Sequence, residues 1–162
     1  MNKRLQKQIL AMVAKDQHMR LSSKWDPQID RQNTIVLKNI IRKYGWPDIP
    51  LVGKKASQGA WLLAQHADHD LKFQKLCLKL IIEKLKKHKI DPQNFAYLTD
   101  RILVNSGKKQ IYGTQFYTNK KTEKFDPKPI KDKKHLFQRR RQMKLGSFEA
   151  YYKLLLKRHK EI

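Results

Sequence analysis

Cysteine and acidic residues are scarce in this 162-residue chain, and each shortage limits what the chain can be. The single cysteine, Cys77, excludes an intramolecular disulfide, so folding in a reducing compartment is expected. Only 14 Asp and Glu accompany 37 Lys and Arg, and the formal net charge of +23 far exceeds what solubility requires. Such a field attracts polyanions: nucleic acid, ribosomes, anionic membranes or phosphorylated small molecules. The alternative is a lysine-biased composition without a polyanionic partner.

Long hydrophobic runs are also missing. No stretch approaches the roughly 20 apolar residues that a membrane-spanning helix needs. The apolar stretch near the first residue is interrupted by Lys15 and Asp16, unlike the core of a secretory signal peptide. The length fits one domain with its own core. We therefore expect a single cytoplasmic domain over residues 1–162.

Apolar residues recur at helical spacing along most of the chain, which predicts a mostly α fold. Asp26–Pro27 and Asp91–Pro92 each combine a capping residue with proline at the first helical position. The pattern indicates a compact single-domain bundle of about six or seven helices, with one short β-hairpin or ordered loop near residues 107–117. A basic connector over about 118–132 is expected to lead to C-terminal helices over about 133–160, packed on the same domain.

Two shorter segments carry further structural predictions. The prolines and glycines of residues 45–53, GWPDIPLVG, predict a rigid loop. Asp132 is placed to cap the sixth helix, and Ser147 to cap the last one.

Residues 65–70, QHADHD, carry two histidines and two aspartates. On a continuous helix, His66 and Asp70 lie one turn apart, where they can bind a metal or move protons. Alternatively, Asp68 or Asp70 caps the next helix and the segment is a polar helix junction. A metal site would need further ligands, for which Asp16 and Asp100 are candidates. No metal ligand is assigned; the cofactor stays unknown, with a divalent metal as an open alternative.

Polar residues also interrupt apolar helix faces elsewhere. Asp16 and Arg20 have the i, i+4 spacing of a helical ion pair, and a buried Asp16 would need that arginine or another donor. Asp100 and Arg101 lie inside the apolar run YLTDRILV, either on a solvated stripe or in an inward-facing network. Of the three adjacent arginines 139–141, at least one is expected to turn inward, because they point in three directions.

The ordered blocks DQHMR, YGWP, QHAD, YLTDR, QIYGTQF and RRR resemble a bacterial domain family known only as a domain of unknown function. The resemblance covers roughly residues 10–155 and implies that the basic C-terminal segment belongs to the domain. It implies no known activity. The signature positions are mostly polar, which is more typical of a shared pocket than of a scaffold.

These positions provide the candidate site. The predicted catalytic residues are His66 as general acid or base, with Asp70 or Asp100 orienting it. The predicted substrate-binding residues share polar side chains in the signature blocks; they are Asp16, Gln17, Arg20, Gln65, Gln74, Arg101, Gln110, Tyr112, Thr114, Gln115, Arg140 and Arg141.

A weaker likeness is to the HD-type phosphohydrolases, which are all-helical and bind metals through a His, a His–Asp pair and a later Asp. His69, Asp70 and Asp100 match in residue type. His66 is too close to be the upstream histidine, so His18 would have to serve.

Three functions follow as hypotheses. The first is a small enzyme, a hydrolase or transferase acting on a phosphorylated or nucleotide-like anionic substrate. The second is a non-enzymatic nucleic-acid or ribosome-binding protein, in which Trp25, Trp46, Tyr151 and Tyr152 are available for stacking. The third is a protein-interaction module of a bacterial toxin–immunity or defence system.

Overall fold

The computed structural model describes residues 1–22 and 26–160, and this part of the chain is mostly helical with one small antiparallel sheet. The chain forms two compact units, Met1–Asn94 (unit 1) and Phe95–Ile162 (unit 2). The helices in the described residues are α1 Lys3–Leu21, α2 Pro27–Tyr44, α3 Ile49–Val52, α4 Lys54–Gln65, α5 Leu71–Leu85, α6 Pro92–Asn105, α7 Leu136–Gln142 and α8 Phe148–Lys160. The strands are β1 Phe116–Thr118 and β2 Phe125–Pro127. The mostly α fold is confirmed, and a single-domain organisation stays a prediction.

Helix starts in unit 1 follow the capping signals of the sequence. The Asp26 carboxylate accepts a hydrogen bond from the Gln28 N–H at 2.9 Å, with Pro27 opening α2. The Asp70 carboxylate accepts one from the Phe73 N–H at 2.9 Å and so caps α5. The chain therefore breaks between α4 and α5, and the alternative of one continuous helix through residues 65–70 is wrong.

The core of unit 1 is built around α4, whose small residues let α1 approach closely. A Cβ added at Gly59 would come within 2.7 Å of Val13 on α1, so only glycine fits there without a shift. Ile9, Leu37 and Leu63 are almost completely buried around this contact. This close approach places Asp16 of α1 next to the C-terminal end of α4.

The segment 45–53 was expected to be a loop, but it contains the single helical turn α3, capped by Asp48. Trp46, in the same segment, is 1% exposed. It is therefore part of the core, and the expectation that Trp46 can stack on a partner is wrong. Cys77 is also buried, and burial raises the pKa of its thiol, as expected for a structural cysteine.

In unit 2 an ordered loop over residues 106–115 leads into the hairpin β1–β2. The strands pair antiparallel, with Tyr117 opposite Asp126, so the hairpin includes part of the predicted connector. Asp132 does not cap the following helical turn: its φ is +49° and it makes no capping bond. Its carboxylate instead lies 2.8 Å from Nδ1 of His135. The Ser147 hydroxyl caps α8 as predicted, accepting from the Ala150 N–H at 3.1 Å.

Candidate functional site

Four ionisable side chains from three helices meet inside unit 1. Asp16 and Arg20 come from α1, Asp30 from the first turn of α2, and His66 from the residue that ends α4. Nδ1 of His66 lies 2.9 and 3.1 Å from the two carboxylate oxygens of Asp16. Arg20 donates from Nε to Asp16 at 3.2 Å and from Nη2 to Asp30 at 2.7 Å. We call these four residues the acid–base cluster.

Local structure explains why these side chains converge. Asp16 and Arg20 are one turn apart on α1 and therefore share a face. Asp30 follows the Asp26 cap by one turn, on the buried face of α2. His66 adopts φ −84° and ψ 0° at the end of α4, where the helix stops and its side chain reaches α1.

Burial makes the Asp16–His66 contact the strongest feature of the cluster. The Asp16 side chain is 0% exposed and that of His66 is 14% exposed. Burial raises the pKa of Asp16, but the hydrogen bond and charge of His66, the Gln17 amide and the charge of Arg20 lower it below its usual value. Asp16 therefore stays ionised, and the imidazole is the member of this pair that another molecule can reach.

The protonation of His66 decides which contact Nδ1 makes. A carboxylate only accepts, so the Asp16 contact requires a proton on Nδ1. Nε of Arg20 also lies 3.0 Å from Nδ1, and that contact requires Nδ1 to accept. The two contacts therefore exclude each other, and a proton on Nδ1 directs the imidazole to Asp16 while Nε of Arg20 donates to the same carboxylate.

The cluster also has the donor set of a cation site. One ligand atom each from Asp16, Asp30 and His66 lie within 4.8 Å of one another. Two carboxylates and an imidazole suit a divalent metal. The guanidinium of Arg20 donates to both carboxylates, and its Nε lies 3.0 Å from Nδ1 of His66, so it supplies positive charge at the same place. A metal bound there would compete with Arg20.

Because of the Asp16–His66 contact, we expect the free energy of unfolding to fall in acid. Because the pKa of Asp16 is lower in the folded protein than its ordinary value of 3.8, ionised Asp16 stabilises the fold above that pH. This contribution is lost as the pH falls below 3.8 and through the folded-state pKa. Between about pH 6 and about pH 3, the free energy of unfolding measured in urea should fall less in Asp16→Asn than in the wild type. Equal losses in the two proteins would contradict it.

The other predicted residues in and near QHADHD hold the junction between α4 and α5. Gln74 is fully buried and donates to the carbonyl oxygen of Gln65 at 3.1 Å and to the Asp68 carboxylate at 3.1 Å. Asp70 caps α5 and pairs with Lys38 at 2.6 Å. Among the buried side-chain atoms of the described residues, Oε1 of both Gln65 and Gln74 lacks a hydrogen-bond partner. His69 is exposed, and neither it nor Asp70 belongs to the group of potential metal ligands, unlike the HD-type pattern.

The predicted residues of unit 2 form a second network, centred on Asp100. Its fully buried carboxylate accepts from the N–H groups of Ile111 at 2.7 Å, Tyr112 at 3.0 Å and Thr114 at 3.0 Å. It also accepts from the Thr114 hydroxyl at 2.9 Å. Burial raises the pKa of Asp100, and these donors counter the rise. Asp100 therefore holds the loop 110–115 in place. It belongs to an inward-facing network and not to a solvated stripe of α6.

Gln110 and Gln115 close the same loop. The Gln110 amide donates to the carbonyl oxygens of Gln115 at 2.9 Å and Lys128 at 2.7 Å, and its oxygen accepts from the Gln115 N–H at 2.8 Å. Both the nitrogen and the oxygen of the Gln110 side-chain amide are thus hydrogen-bonded within unit 2.

The three adjacent arginines separate as expected. Arg140 is 2% exposed and donates to the carbonyl oxygens of Tyr112 at 2.7 Å and Gly146 at 2.8 Å, between the rings of Phe148 and Tyr151. Arg139 and Arg141 lie outside this core: Arg139 pairs with Asp132, and Arg141 is exposed. Arg101 is half-buried.

The chain belongs to a family of unknown function, DUF6624. The family model matches residues 3–160. No curated protein and no solved structure matches the chain. No helix in the part of this DUF6624 chain that the structure describes has the length and apolarity needed to cross a bilayer.

Sequence reasoning missed Asp30, although the sequence of this DUF6624 chain contains a signal for it. Along α2, four residues at helical spacing are buried: Asp30, Asn33, Thr34 and Leu37. The polar residues therefore continue an apolar face, which is the pattern expected where a helix points charged groups into a site. Nδ2 of Asn33 lacks a hydrogen-bond partner among the described residues.

Proposed function

We propose that the acid–base cluster is the active site of a small hydrolase or transferase in which His66 is the general acid and base. The observation that supports this most strongly is the contact between the buried Asp16 carboxylate and Nδ1 of the partly exposed His66, at 2.9 Å. A carboxylate in this position fixes the tautomer of the imidazole and stabilises the imidazolium that forms during proton transfer. Nε2 is then the nitrogen that acts on the substrate.

Each remaining member of the cluster has a role in this scheme. Asp16 receives donors from Gln17 at 2.6 Å and from Arg20 at 3.2 Å, which hold the carboxylate in place as the charge of His66 changes. Asp30 in turn holds Arg20 at 2.7 Å. Nε2 would accept a proton from water or a substrate hydroxyl and later return it to the leaving group.

Asp16 replaces Asp70 and Asp100 as the partner of His66 in this proposal. Both oxygens of Asp70 are used, by the Phe73 N–H and by Lys38. Asp100 is surrounded by the donors of its own loop. Neither carboxylate is therefore needed for proton transfer.

An anionic substrate, such as a phosphate ester or nucleotide, fits the charge of the whole chain. The net charge of +23 concentrates anions near the surface and speeds their encounter with it. The cluster itself carries two carboxylates and one guanidinium, so the anionic group of the substrate would be held outside it. His66 would meet the hydroxyl or leaving group instead.

The test compares the wild type with His66→Asn, which keeps a side-chain N–H for Asp16 and removes Nε2. Phosphate release is measured from a panel of phosphomonoesters and nucleotides, and release of the alcohol is measured from chromogenic phosphodiesters. We expect His66→Asn to lower the rate about 10²- to 10⁴-fold, the usual contribution of a general base. His69→Asn, in an exposed histidine three residues away, is the matched control and should keep the wild-type rate.

Two results would count against this proposal. One is equal turnover by wild type and His66→Asn. The other is a wild type that releases neither phosphate nor alcohol and shows no raised Tm with any compound in the panel. The interaction-module hypothesis remains a separate prediction, tested by whether a stable protein partner binds without any turnover.

A further inference from the structure

We propose that unit 2 carries a binding surface for single-stranded nucleic acid, formed by lysines and two exposed aromatic residues, Tyr117 and Phe137. This goes beyond the acid–base cluster, because it concerns other residues and needs no catalysis. Among the aromatic side chains of the described residues, those classed as exposed are Tyr44 at 42%, Tyr117 at 36% and Phe137 at 65%. Two of the three are therefore in unit 2.

Of the aromatic residues first expected to stack, those that the structure describes are buried or half-buried. Trp46 is in the core of unit 1. Tyr151 and Tyr152 are half-buried in an aromatic cluster with Phe116, and the Tyr152 hydroxyl donates to the carbonyl oxygen of Phe125 at 2.8 Å. Trp25 lies outside the described residues.

The hairpin separates its inward and outward aromatic residues by strand alternation. Phe116 packs on Phe148 and Tyr152 of α8, with ring centroids 6.2 and 5.5 Å away. Tyr117 is the next residue, so its ring leaves the opposite face of β1. Nζ of Lys128 lies 4.5 Å from the centroid of that ring. A ring with an ammonium beside it can contact a base and the neighbouring phosphate together.

Phe137 has a similar setting on α7. It is the most exposed aromatic side chain of the described residues. Arg141 lies one turn further along α7, and Lys133 and Lys134 precede it within one turn; all three are exposed. Phe137 is thus an apolar ring surrounded by cations.

The lysines around these rings supply phosphate contacts. Seven lie between the end of β1 and the start of α7, over residues 119–135, and six of these are exposed: Lys120, Lys121, Lys124, Lys131, Lys133 and Lys134, with Lys128 half-buried. The same segment has only three acidic residues: the exposed Glu123, Asp126, which accepts from the Tyr152 hydroxyl, and Asp132, which pairs with Arg139. The segment therefore presents mostly unopposed positive charge.

Hydrogen bonds tie the neighbouring segments of both rings to the rest of unit 2. The Lys128 N–H donates to the carbonyl oxygen of Gln115 at 3.0 Å, next to β1. Arg139 of α7 donates to the carbonyl oxygens of Lys131 at 2.9 Å and Ile111 at 3.0 Å. A preformed surface lowers the ordering cost of binding.

A single strand fits this surface better than a duplex or a membrane. Bases expose their flat faces for stacking only when they are unpaired. A membrane-binding face would instead need contiguous apolar side chains opposite the cations. Here the exposed rings stand singly among lysines.

The test uses fluorescence anisotropy of full-length protein with a fluorescein-labelled oligo-dT and oligo-U of about 20 nucleotides, a length that covers one site of this class. Tyr117→Ala and Phe137→Ala should each raise Kd roughly 5- to 150-fold, the range expected for the loss of one stacked base. Tyr44→Ala is the matched control, since Tyr44 is an exposed tyrosine of unit 1 with Lys43 5.2 Å from its ring centroid, and its Kd should stay at the wild-type value. With about four phosphate contacts, Kd for the wild type should rise roughly 50-fold between about 50 and 200 mM salt.

Several results would overturn the proposal. They are an unchanged Kd in both unit 2 variants, an equal loss in Tyr44→Ala, tighter binding to a duplex of the same length, and preference for phosphatidylserine vesicles over oligo-dT. His66→Asn should bind the oligonucleotides like the wild type, so failure of this surface and failure of the acid–base cluster are distinguishable.

Discussion

Replacing Asp100 with alanine is expected to lower the free energy of unfolding by about 3–6 kcal/mol, because several buried donors lose their acceptor at once. Its carboxylate accepts from three backbone N–H groups and from the Thr114 hydroxyl. A buried donor left without a partner costs about 1–3 kcal/mol, and relaxation of the loop toward water recovers part of the sum. Urea unfolding followed by far-UV circular dichroism gives the free energy.

Two companion variants separate this explanation from a general sensitivity of the loop. Thr114→Val removes one of the donors and should cost about 1 kcal/mol. Asp132→Ala removes an exposed carboxylate of the same unit, paired only at the surface, and should cost much less than Asp100→Ala. If Asp100→Ala were no more harmful than Asp132→Ala, the assigned role of Asp100 would be wrong.

Replacing Arg20 with alanine is expected to cost about 3–5 kcal/mol of stability, since it leaves two buried carboxylates without their shared cation. Arg20 reaches Asp16 through Nε and Asp30 through Nη2, at 3.2 and 2.7 Å. Lysine carries the same charge on one nitrogen and cannot bond both carboxylates in this forked geometry, so Arg20→Lys should recover only part of the loss. Chemical denaturation at pH 7 measures both variants.

A double-mutant cycle tests whether Arg20 acts through Asp30. Asp30→Asn removes the charge that Arg20 neutralises, so Arg20→Ala should cost less in that background than in the wild type. A coupling energy of about 1 kcal/mol or more is expected for two groups in direct contact. Strictly additive losses would show that the 2.7 Å contact contributes nothing measurable.

Much of the helical structure was predictable from local signals. Asp26–Pro27 starts α2, and Pro92 starts α6, because a capping residue followed by proline favours a helix start whatever lies nearby. The break at residues 65–70 was one of two local alternatives. The choice between them follows from the bond between the Asp70 carboxylate and the Phe73 N–H. α3 was missed, because a single turn is too short to show a hydrophobic period.

The candidate site was predictable only in part. His66, Asp16, Gln17 and Arg20 were singled out, and Asp70 or Asp100 was expected to orient His66, whereas the carboxylate in contact with Nδ1 of His66 is Asp16. Asp70 is near His66 in sequence, whereas Asp16 is 50 residues away and becomes its neighbour through the packing of α1 on α4. Asp100 was expected to orient His66 and Gln110 to bind a substrate, whereas their hydrogen bonds hold the loop of unit 2.

By itself, the sequence determined the helical class, most helix starts, the excess of positive charge and the residue types available for proton transfer. These depend on local capping chemistry, hydrophobic period and composition. The tertiary structure decided that Asp16, Arg20, Asp30 and His66 form one cluster, that Asp100 and Arg140 face inward, and that Tyr117 and Phe137 are exposed. A side chain's partner and burial depend on which distant helix or strand packs against it, and local sequence does not carry that information.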